Sequence, residues 1–383
     1  MNWRLVGWSG LGALALFAAG GAAWLLSLPA APAARGAPAL GPEEADAILA
    51  GLKPPKRPRP LIALLGINDA TETTDYLMPD GILRRSGAAD VVTLATQPGP
   101  VKLFPALAVQ PEATVAEFDA QHPDGADFVI VPAMSRDDDP AALAWLRSQS
   151  SKGATVIGVC VGVKVVAAAG LLDGKRATTH WYYVKELRKK HPAVHYVPDR
   201  RMVVDRGVAT TTGITASMPV SLTLIEAIAG REKAEAVARE LGLTHWDARH
   251  DSSAFQFTRP FAMTAIGNTA AFWNREELGL ALEPGVDEVS LALVADAWSR
   301  TYRSRVVTFS PTGAAKPSRY GARILPERVA ASWPAERLLP PIGDRPPARA
   351  LDEALRAIAA RYGERTADFV AMQLEYPGAI APR

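Results

Sequence analysis

The sequence has a single cysteine, Cys160, among its 383 residues. One cysteine cannot form an internal disulfide, and it excludes zinc sites that are built from several cysteines. The chain also lacks a surplus of either charge, with 42 Lys and Arg against 40 Asp and Glu. A protein that binds nucleic acid electrostatically needs a strongly basic surface, so we expect no nucleic-acid partner. The sequence predicts neither a bound metal nor a cofactor.

Charged residues are absent from residues 5–34, behind Arg4. The most apolar part, Leu5 to Leu28, is longer than the about 20 residues that a helix needs to cross a bilayer. Ala31-Pro32-Ala33 has the small-residue pattern of a signal-peptidase site. Two interpretations of residues 1–34 therefore remain, an uncleaved anchor helix and a cleaved signal peptide. We expect a membrane-anchored protein with an extracytoplasmic globular part, or alternatively a secreted one.

Proline-rich residues 35–60 follow as a linker, because proline prevents regular structure through most of it. A short helix over residues 43–52 is expected inside this linker, since Pro42 and the acids after it suit a helix start.

Residues 61–245 alternate between short apolar runs and helical patterns. Continuous apolar runs predict strands that are buried on both faces. We expect strands at 61–65, 91–94, 128–131 and 155–159, a hairpin at 203–211, and helices at 75–86, 140–150, 162–171 and 219–229. This alternation predicts an α/β fold with a doubly wound parallel sheet, whose active crevice lies at the carboxyl ends of the strands.

Cys160 lies directly between a predicted strand and a predicted helix. Gly158 and Gly162 flank it in a G-x-C-x-G pattern, which is the cysteine version of a nucleophile elbow. Small residues at these two places allow a sharp turn that projects the sulfur above the sheet edge. We expect the amino end of the following helix to lower the thiol pKa.

The stretch from Val159 to Gly162, together with Ala167 to Trp181, resembles the ThiJ/PfpI superfamily. It is closest to the branch of isonitrile hydratases and regulator sensing domains, whose flavodoxin-like folds are related to class I glutamine amidotransferases. The resemblance implies that Cys160 is the nucleophile and that His180 is the pocket histidine. It also implies an acid four residues before a proline, which selects Asp75 before Pro79, with Glu72 as the alternative.

Backbone N–H groups of Ala133 and Val161 are candidates for an oxyanion site. Val161 departs from the histidine of the protease-like members and from the threonine that is common in isonitrile hydratases. We expect a cysteine-dependent hydrolase, hydratase or lyase that acts on a small electrophile. The alternative is a non-catalytic domain at the membrane that senses a ligand or a redox change.

A shift of 215 residues superimposes part of the second half on the first. It places Ser290 where Asp75 stands, and Glu375 where Cys160 stands. We therefore expect residues 275–383 to form a partial, degenerate α/β lobe without chemistry of its own, whose first strand and turn lie at 285–289. Residues 246–274 form an aromatic connector, which either packs between the lobes or covers Cys160. The sequence leaves open whether the chain also forms a homodimer.

Overall fold

The computed structural model describes residues 16, 19–30 and 35–376. Residues 19–27 are helical, but no helix in these ranges is long and apolar enough to cross a membrane. Most of the expected anchor helix, and the Ala31-Pro32-Ala33 site, lie outside the described residues. The structure therefore gives the predicted hydrophobic anchor helix no support.

Strands and helices alternate through the described chain. The strands are β1 Leu61–Gly66, β2 Thr71–Glu72, β3 Asp90–Ala95, β4 Val101–Phe104, β5 Ala108–Gln110, β6 Ala113–Thr114, β7 Phe128–Val131, β8 Thr155–Gly158, β9 Arg176–Ala177, β10 His195–Tyr196, β11 Met202–Asp205, β12 Val208–Thr211, β13 Glu276–Ala281, β14 Ser304–Ser310, β15 Lys316–Pro317, β16 Arg323–Leu325 and β17 Arg328–Val329. The helices are α1 Pro42–Gly51, α2 Thr73–Ser86, α3 Val115–Gln121, α4 Pro140–Ser151, α5 Gly162–Ala168, α6 Val184–Lys190, α7 Ser217–Ala229, α8 Arg231–Leu241, α9 Arg259–Ala270, α10 Glu288–Ser299, α11 Pro347–Tyr362 and α12 Glu364–Gln373.

The main sheet has seven strands in the order β11-β12-β8-β7-β1-β3-β6. Every pair in it is parallel except the β11–β12 hairpin at one edge. All residues of β1, β7 and β8 are buried, as expected for central strands that helices cover on both faces. The α/β fold with a parallel, doubly wound sheet is confirmed. The carboxyl ends of β1, β7 and β8 meet at one edge, which places the loops after them side by side.

The second half repeats part of this arrangement. Strands β13, β14 and β17 form a parallel sheet in that order, as β1, β3 and β6 do. Glu112 and Glu327, which are 215 residues apart, make the same hydrogen bonds. The N–H of each glutamate donates to the carbonyl of a strand threonine, Thr93 or Thr308, and the glutamate's carboxylate accepts that threonine's N–H. The predicted first strand at 285–289 is wrong, because Asp287 caps α10 by accepting the Ser290 N–H at 2.9 Å. The predicted boundaries at 245 and 274 stay predictions.

The two halves meet around an internal twofold relation. Strand β5 pairs antiparallel with β16, and Val109 lies opposite Ile324, its own counterpart at the 215-residue shift. Helices α2 and α10, the counterparts of one another, pack together in one apolar core that draws on both halves. Two ion pairs are related by the same 215-residue shift. Arg85 binds Asp287, and Arg300, the counterpart of Arg85, binds Glu72, the counterpart of Asp287. A twofold interface has this self-complementary form.

Candidate functional site

Cys160 occupies the sharp turn between β8 and α5. Its φ of 55° lies in the left-handed region, which a residue other than glycine adopts only when its surroundings hold it there. The Cys160 N–H donates to Thr211 Oγ1 at 3.1 Å, and Thr179 Oγ1 donates to the Cys160 carbonyl at 2.9 Å. Both threonines are buried. The structure therefore places Cys160 in the strained geometry of a nucleophile elbow.

The two elbow glycines are required by close backbone contacts. A Cβ at Gly162 would overlap the carbonyl oxygens of Val131 and Pro132, which belong to the neighbouring strand and its loop. A Cβ at Gly158 would lie 3.1 Å from the Cα of Val163 in α5. The turn is tight because the start of α5 lies in close contact with the end of β7, which leaves no room for a side chain at Gly162.

A cavity of about 620 Å³ opens at Cys160. Its wall combines residues from the elbow, from the aromatic segment after β9 and from the second half of the chain. It includes Cys160, Val161, Glu72, Ala133, His180, Trp181, Tyr182, Tyr183, Phe257, Phe261, Ala265, Arg300, Tyr302 and Gln373. The connector thus contributes to the cavity wall through Phe257, Phe261 and Ala265. A cavity of this volume, apolar with a few polar groups, suits a small organic molecule.

Glu72 and Asp75 lie at the start of α2, and Glu72 lines this cavity. Glu72 caps the helix, because its carboxylate accepts the Asp75 N–H at 2.6 Å and the Thr74 hydroxyl at 2.8 Å. Asp75 is fully buried, and its Oδ2 accepts the Ala133 N–H at 3.0 Å. Its Oδ1 has no hydrogen-bond partner among the described residues. The Ala133 N–H, one of the two expected oxyanion donors, is therefore already committed to Asp75.

The second expected oxyanion donor, the N–H of Val161, is not committed in this way. The Val161 N–H has no acceptor within the described ranges, and Val161 lines the cavity. The Cys160 N–H, the next candidate along the chain, is committed to Thr211. Among the described residues, the Val161 N–H therefore has no internal partner at the cavity wall.

Arg300 belongs to the second half and reaches the site from the carboxyl end of α10. Its Nη2 donates to Glu72 Oε1 at 2.7 Å, and its Nε donates to Asp296 Oδ2 at 2.7 Å. Asp296 is fully buried, and burial raises its pKa to about 7. Sequence reasoning missed Arg300. The 215-residue shift carried the signal, since it pairs Arg300 with Arg85 and Glu72 with Asp287.

Burial raises the pKa of the Cys160 thiol well above its usual range, and the carboxylates of Asp75, Glu72 and Glu375 raise this pKa further. The expectation of a depressed thiol pKa is therefore wrong. Helix α5 has only seven residues, and the cost of desolvating the thiolate outweighs its short dipole. Burial also raises the pKa of Asp75, and the neighbouring Glu72 charge adds to that rise. Both groups hold their protons to a higher pH than they would in water.

His180 is held on both sides by backbone. Its Nδ1 accepts the Tyr182 N–H at 3.2 Å, so its Nε2 carries the proton that faces the Gln373 carbonyl at 2.9 Å. Burial lowers the pKa of His180, which favours this neutral form. The structure brings His180 to the cavity wall together with Cys160, but each ring nitrogen already has a partner.

Glu375, also missed as a site residue, anchors this segment. It is buried with a φ of 49°, and its carboxylate accepts the N–H groups of Trp181 at 2.7 Å and Gly213 at 2.8 Å. The Trp181 indole donates to the Met372 carbonyl at 3.0 Å. The turn after α12 therefore positions the loop that carries His180. Nothing near Glu375 in the sequence signals this role, because its partners lie 162 and 194 residues away.

The DJ-1/PfpI family model matches residues 62–227, which contain the elbow, Asp75 and His180. These residues are a DJ-1/PfpI family domain. The resemblance to ThiJ/PfpI proteins that the elbow sequence indicates is thus confirmed. Arg300 and Glu375, which complete the surroundings of Cys160, lie outside the matched DJ-1/PfpI residues.

Several known proteins are similar to part of this chain. The isonitrile hydratase of Pseudomonas putida is 40% identical over 105 residues, 27% of this chain and 44% of that protein. The HTH-type transcriptional regulator CdhR of Pseudomonas aeruginosa is 32% identical over 125 residues, 33% of this chain and 37% of the regulator. The crystal structure of Drosophila melanogaster DJ-1beta aligns with a TM-score of 0.44 at 22% identity, covering 49% of this chain and 100% of that one. The chain spans less than half the length of the hydratase and of the regulator.

Proposed function

We propose that this protein is a cysteine-dependent hydratase or lyase that acts on a small electrophile through Cys160. The observation that carries the proposal is the strained Cys160 at the wall of an organic-sized cavity, next to a buried carboxyl with an unpartnered oxygen. Strain at one residue persists only where the surroundings enforce it, and it is concentrated at functional sites. The similarity to an isonitrile hydratase over the same kind of domain supports this class of reaction.

The raised pKa values of Cys160 and Asp75 indicate how the proton moves. Burial makes the thiol hold its proton to a higher pH than in water, so the sulfur must lose that proton while it attacks, and the ionised form of Asp75 is the base we assign to accept it. The like charges of the two groups prevent both from ionising together, so the pair carries at least one proton. Asp75 can then return that proton to the substrate.

An isonitrile illustrates the balance of such a reaction. The sulfur bonds to the terminal carbon, and the proton taken up by Asp75 is delivered to that same carbon, which gives a thioimidate. Water then adds to this carbon, the carbon–sulfur bond breaks and the nitrogen takes a proton. The products are an N-substituted formamide and the free Cys160 thiol, so one water has been added in total.

The backbone donors favour addition over acyl hydrolysis. Hydrolysis of an ester or amide builds negative charge on a carbonyl oxygen, which pairs of N–H donors normally stabilise. Here the N–H groups of Cys160 and Ala133 are committed to Thr211 and Asp75. Of these three N–H groups, that of Val161 alone has no acceptor in the described residues, so a carbonyl oxyanion would lack the usual pair of donors.

A panel of small electrophiles tests the proposal on the full chain. We expect turnover of an isonitrile to its formamide, followed by mass spectrometry, and weak or no cleavage of activated esters. Cys160→Ser should abolish turnover, and Asp75→Asn should reduce it by about 10²-fold or more through lost proton transfer. Val329→Ser, in an exposed position on β17, serves as the matched control. Equal turnover by Cys160→Ser and the unmodified chain would remove Cys160 from the reaction.

A second candidate function is ligand sensing without turnover. It is favoured by His180, whose two ring nitrogens are occupied by backbone, so that it offers no free base to a substrate. In this case ligands should bind the cavity with similar affinity in the unmodified chain and in Cys160→Ser, which calorimetry can measure. Redox sensing is less well supported, because sensor cysteines combine exposure with a low thiol pKa, and Cys160 has neither. An extracytoplasmic location and a homodimer stay predictions.

A further inference from the structure

Helix α9 and the turn after it present an apolar surface to solvent. We call this surface the outer face, and it consists of Met263, Ile266, Phe272 and Trp273, which are 53%, 50%, 66% and 70% exposed. The opposite side of α9 is buried through Phe261 and lines the cavity. Helix α9 therefore lies between the Cys160 cavity and the outside.

The outer face carries no compensating charge. Residues 260–274 contain no Asp, Glu, Lys, Arg or His. Exposed apolar residues are common singly, but a contiguous uncharged patch of large side chains marks an interaction surface. The nearest charged residues in the sequence, Arg259 and Arg275, flank this stretch, and the stretch itself offers a charged partner nothing complementary.

The amino-terminal segment is attached directly beside the outer face. Arg259, the first residue of α9, donates its N–H to the Pro29 carbonyl at 2.8 Å. Its side chain donates to the carbonyls of Leu25 at 3.2 Å and Leu26 at 3.0 Å. Residues 25–29, which belong to the uncharged run of residues 5–34, thus lie at the amino end of the helix that bears the outer face. Leu26 is 68% exposed, so it extends the apolar surface.

Aromatic rings connect this attachment to the cavity mouth. The Trp24 ring lies 6.1 Å from that of Phe257, which lies 6.1 Å from that of Tyr182. Phe257 and Tyr182 line the cavity, and both Trp24 and Tyr182 are about half exposed. Tryptophan and tyrosine are the side chains that concentrate at membrane–water interfaces.

We propose that the outer face, together with Leu26 and Trp24, is a contact surface for the lipid bilayer. The uncharged patch matches the uncharged acyl region of a bilayer, and Trp24 and Leu26, in the segment bound by Arg259, add exposed apolar side chains beside it. Docking in this orientation places the mouth of the cavity at the membrane surface, next to the half-exposed aromatic rings.

A local probe tests this contact in the full chain. An environment-sensitive fluorophore is attached at Ile266→Cys, in a Cys160→Ser background that leaves it as the only thiol. The matched control carries the same label at Val329→Cys, which is 62% exposed on β17. With phosphatidylcholine vesicles, we expect blue-shifted emission at position 266 and quenching by nitroxide-labelled lipid, and neither effect at position 329. Adding Met263→Glu and Phe272→Glu should weaken the signal on the order of tenfold.

Other results would overturn the proposal. If the protein sediments with vesicles while the label at 266 stays solvent-exposed, the amino-terminal run binds lipid and the outer face does not. A shift at 266 without vesicles that grows with protein concentration would identify a second copy as the partner. Equal quenching at 266 and 329 would show unspecific adsorption. Should the labelled variants fail to fold, hydrogen exchange of the unmodified chain must show vesicle-dependent protection over residues 259–274.

Discussion

Arg300→Met removes the buried positive charge that bridges Glu72 and Asp296, and it keeps most of the side-chain volume. Arg300 donates to both carboxylates at 2.7 Å, and neither carboxylate is exposed enough to be solvated instead. Removing one partner of a buried ion pair costs about 3–5 kcal/mol, because the remaining charge has no compensation. We expect the free energy of unfolding to fall by about that amount near pH 8.

The loss should shrink on acidification. Burial already raises the pKa of Asp296 to about 7, and losing Arg300 removes a charge that lowers it. A folded-state pKa above the unfolded value means that the folded state binds more protons, so its stability falls as pH rises through that range. Urea unfolding at about pH 5.5 and pH 8 measures the difference, and the deficit of the variant should be larger at the higher pH.

The internal twofold supplies a matched control. Arg85→Met breaks the counterpart ion pair with Asp287, which is also buried, and Arg85 is not among the charges that shift the pKa of Cys160. Both variants should lose stability, but Arg300→Met alone should slow alkylation of Cys160 under folding conditions. The reason is that Arg300 lowers the pKa of the Cys160 thiol. A stability loss below about 1 kcal/mol for Arg300→Met, the value of an exposed pair, would refute the argument. Equal effects of both variants on alkylation would refute the link to Cys160.

Three further predictions follow from the site. Gly162→Ala should cost more than about 3 kcal/mol in urea unfolding, because its Cβ would overlap fixed carbonyl oxygens, whereas Gly158→Ala should cost less. The rate of alkylation of Cys160 should keep rising above about pH 9, because the thiol pKa is raised. Asp75→Asn removes a charge that raises this pKa, so it should move the profile of alkylation rate against pH to lower pH. An unmoved profile would contradict this. Glu375→Ala should lower the unfolding free energy by about 1–3 kcal/mol, through two buried N–H groups left without acceptors, and an unchanged midpoint would argue against the anchoring role.

The sequence by itself determined the features that depend on neighbours along the chain. Continuous apolar runs mark β1, β7 and β8, because a strand buried on both faces has no polar side. The elbow at Cys160 was predictable because a tight turn between strand and helix needs small residues at fixed spacing. Asp75 was located by resemblance, and in the structure it accepts the N–H of Ala133, which lines the cavity.

Only the tertiary structure decided the electrostatics of the site and its completion by the second half. Arg300 and Glu375 reach their partners across 228 and 194 residues, and no local pattern predicts which distant side chains meet. The expected depression of the thiol pKa was wrong because burial, not the helix amino end, has the largest effect on it. The local sequence predicts where the helix begins, but burial depends on elements that are distant in the sequence. The Ala133 N–H was likewise a plausible oxyanion donor until the fold placed the Asp75 carboxylate against it. Local propensity therefore set the position of Cys160, and long-range packing set the chemical state of its thiol.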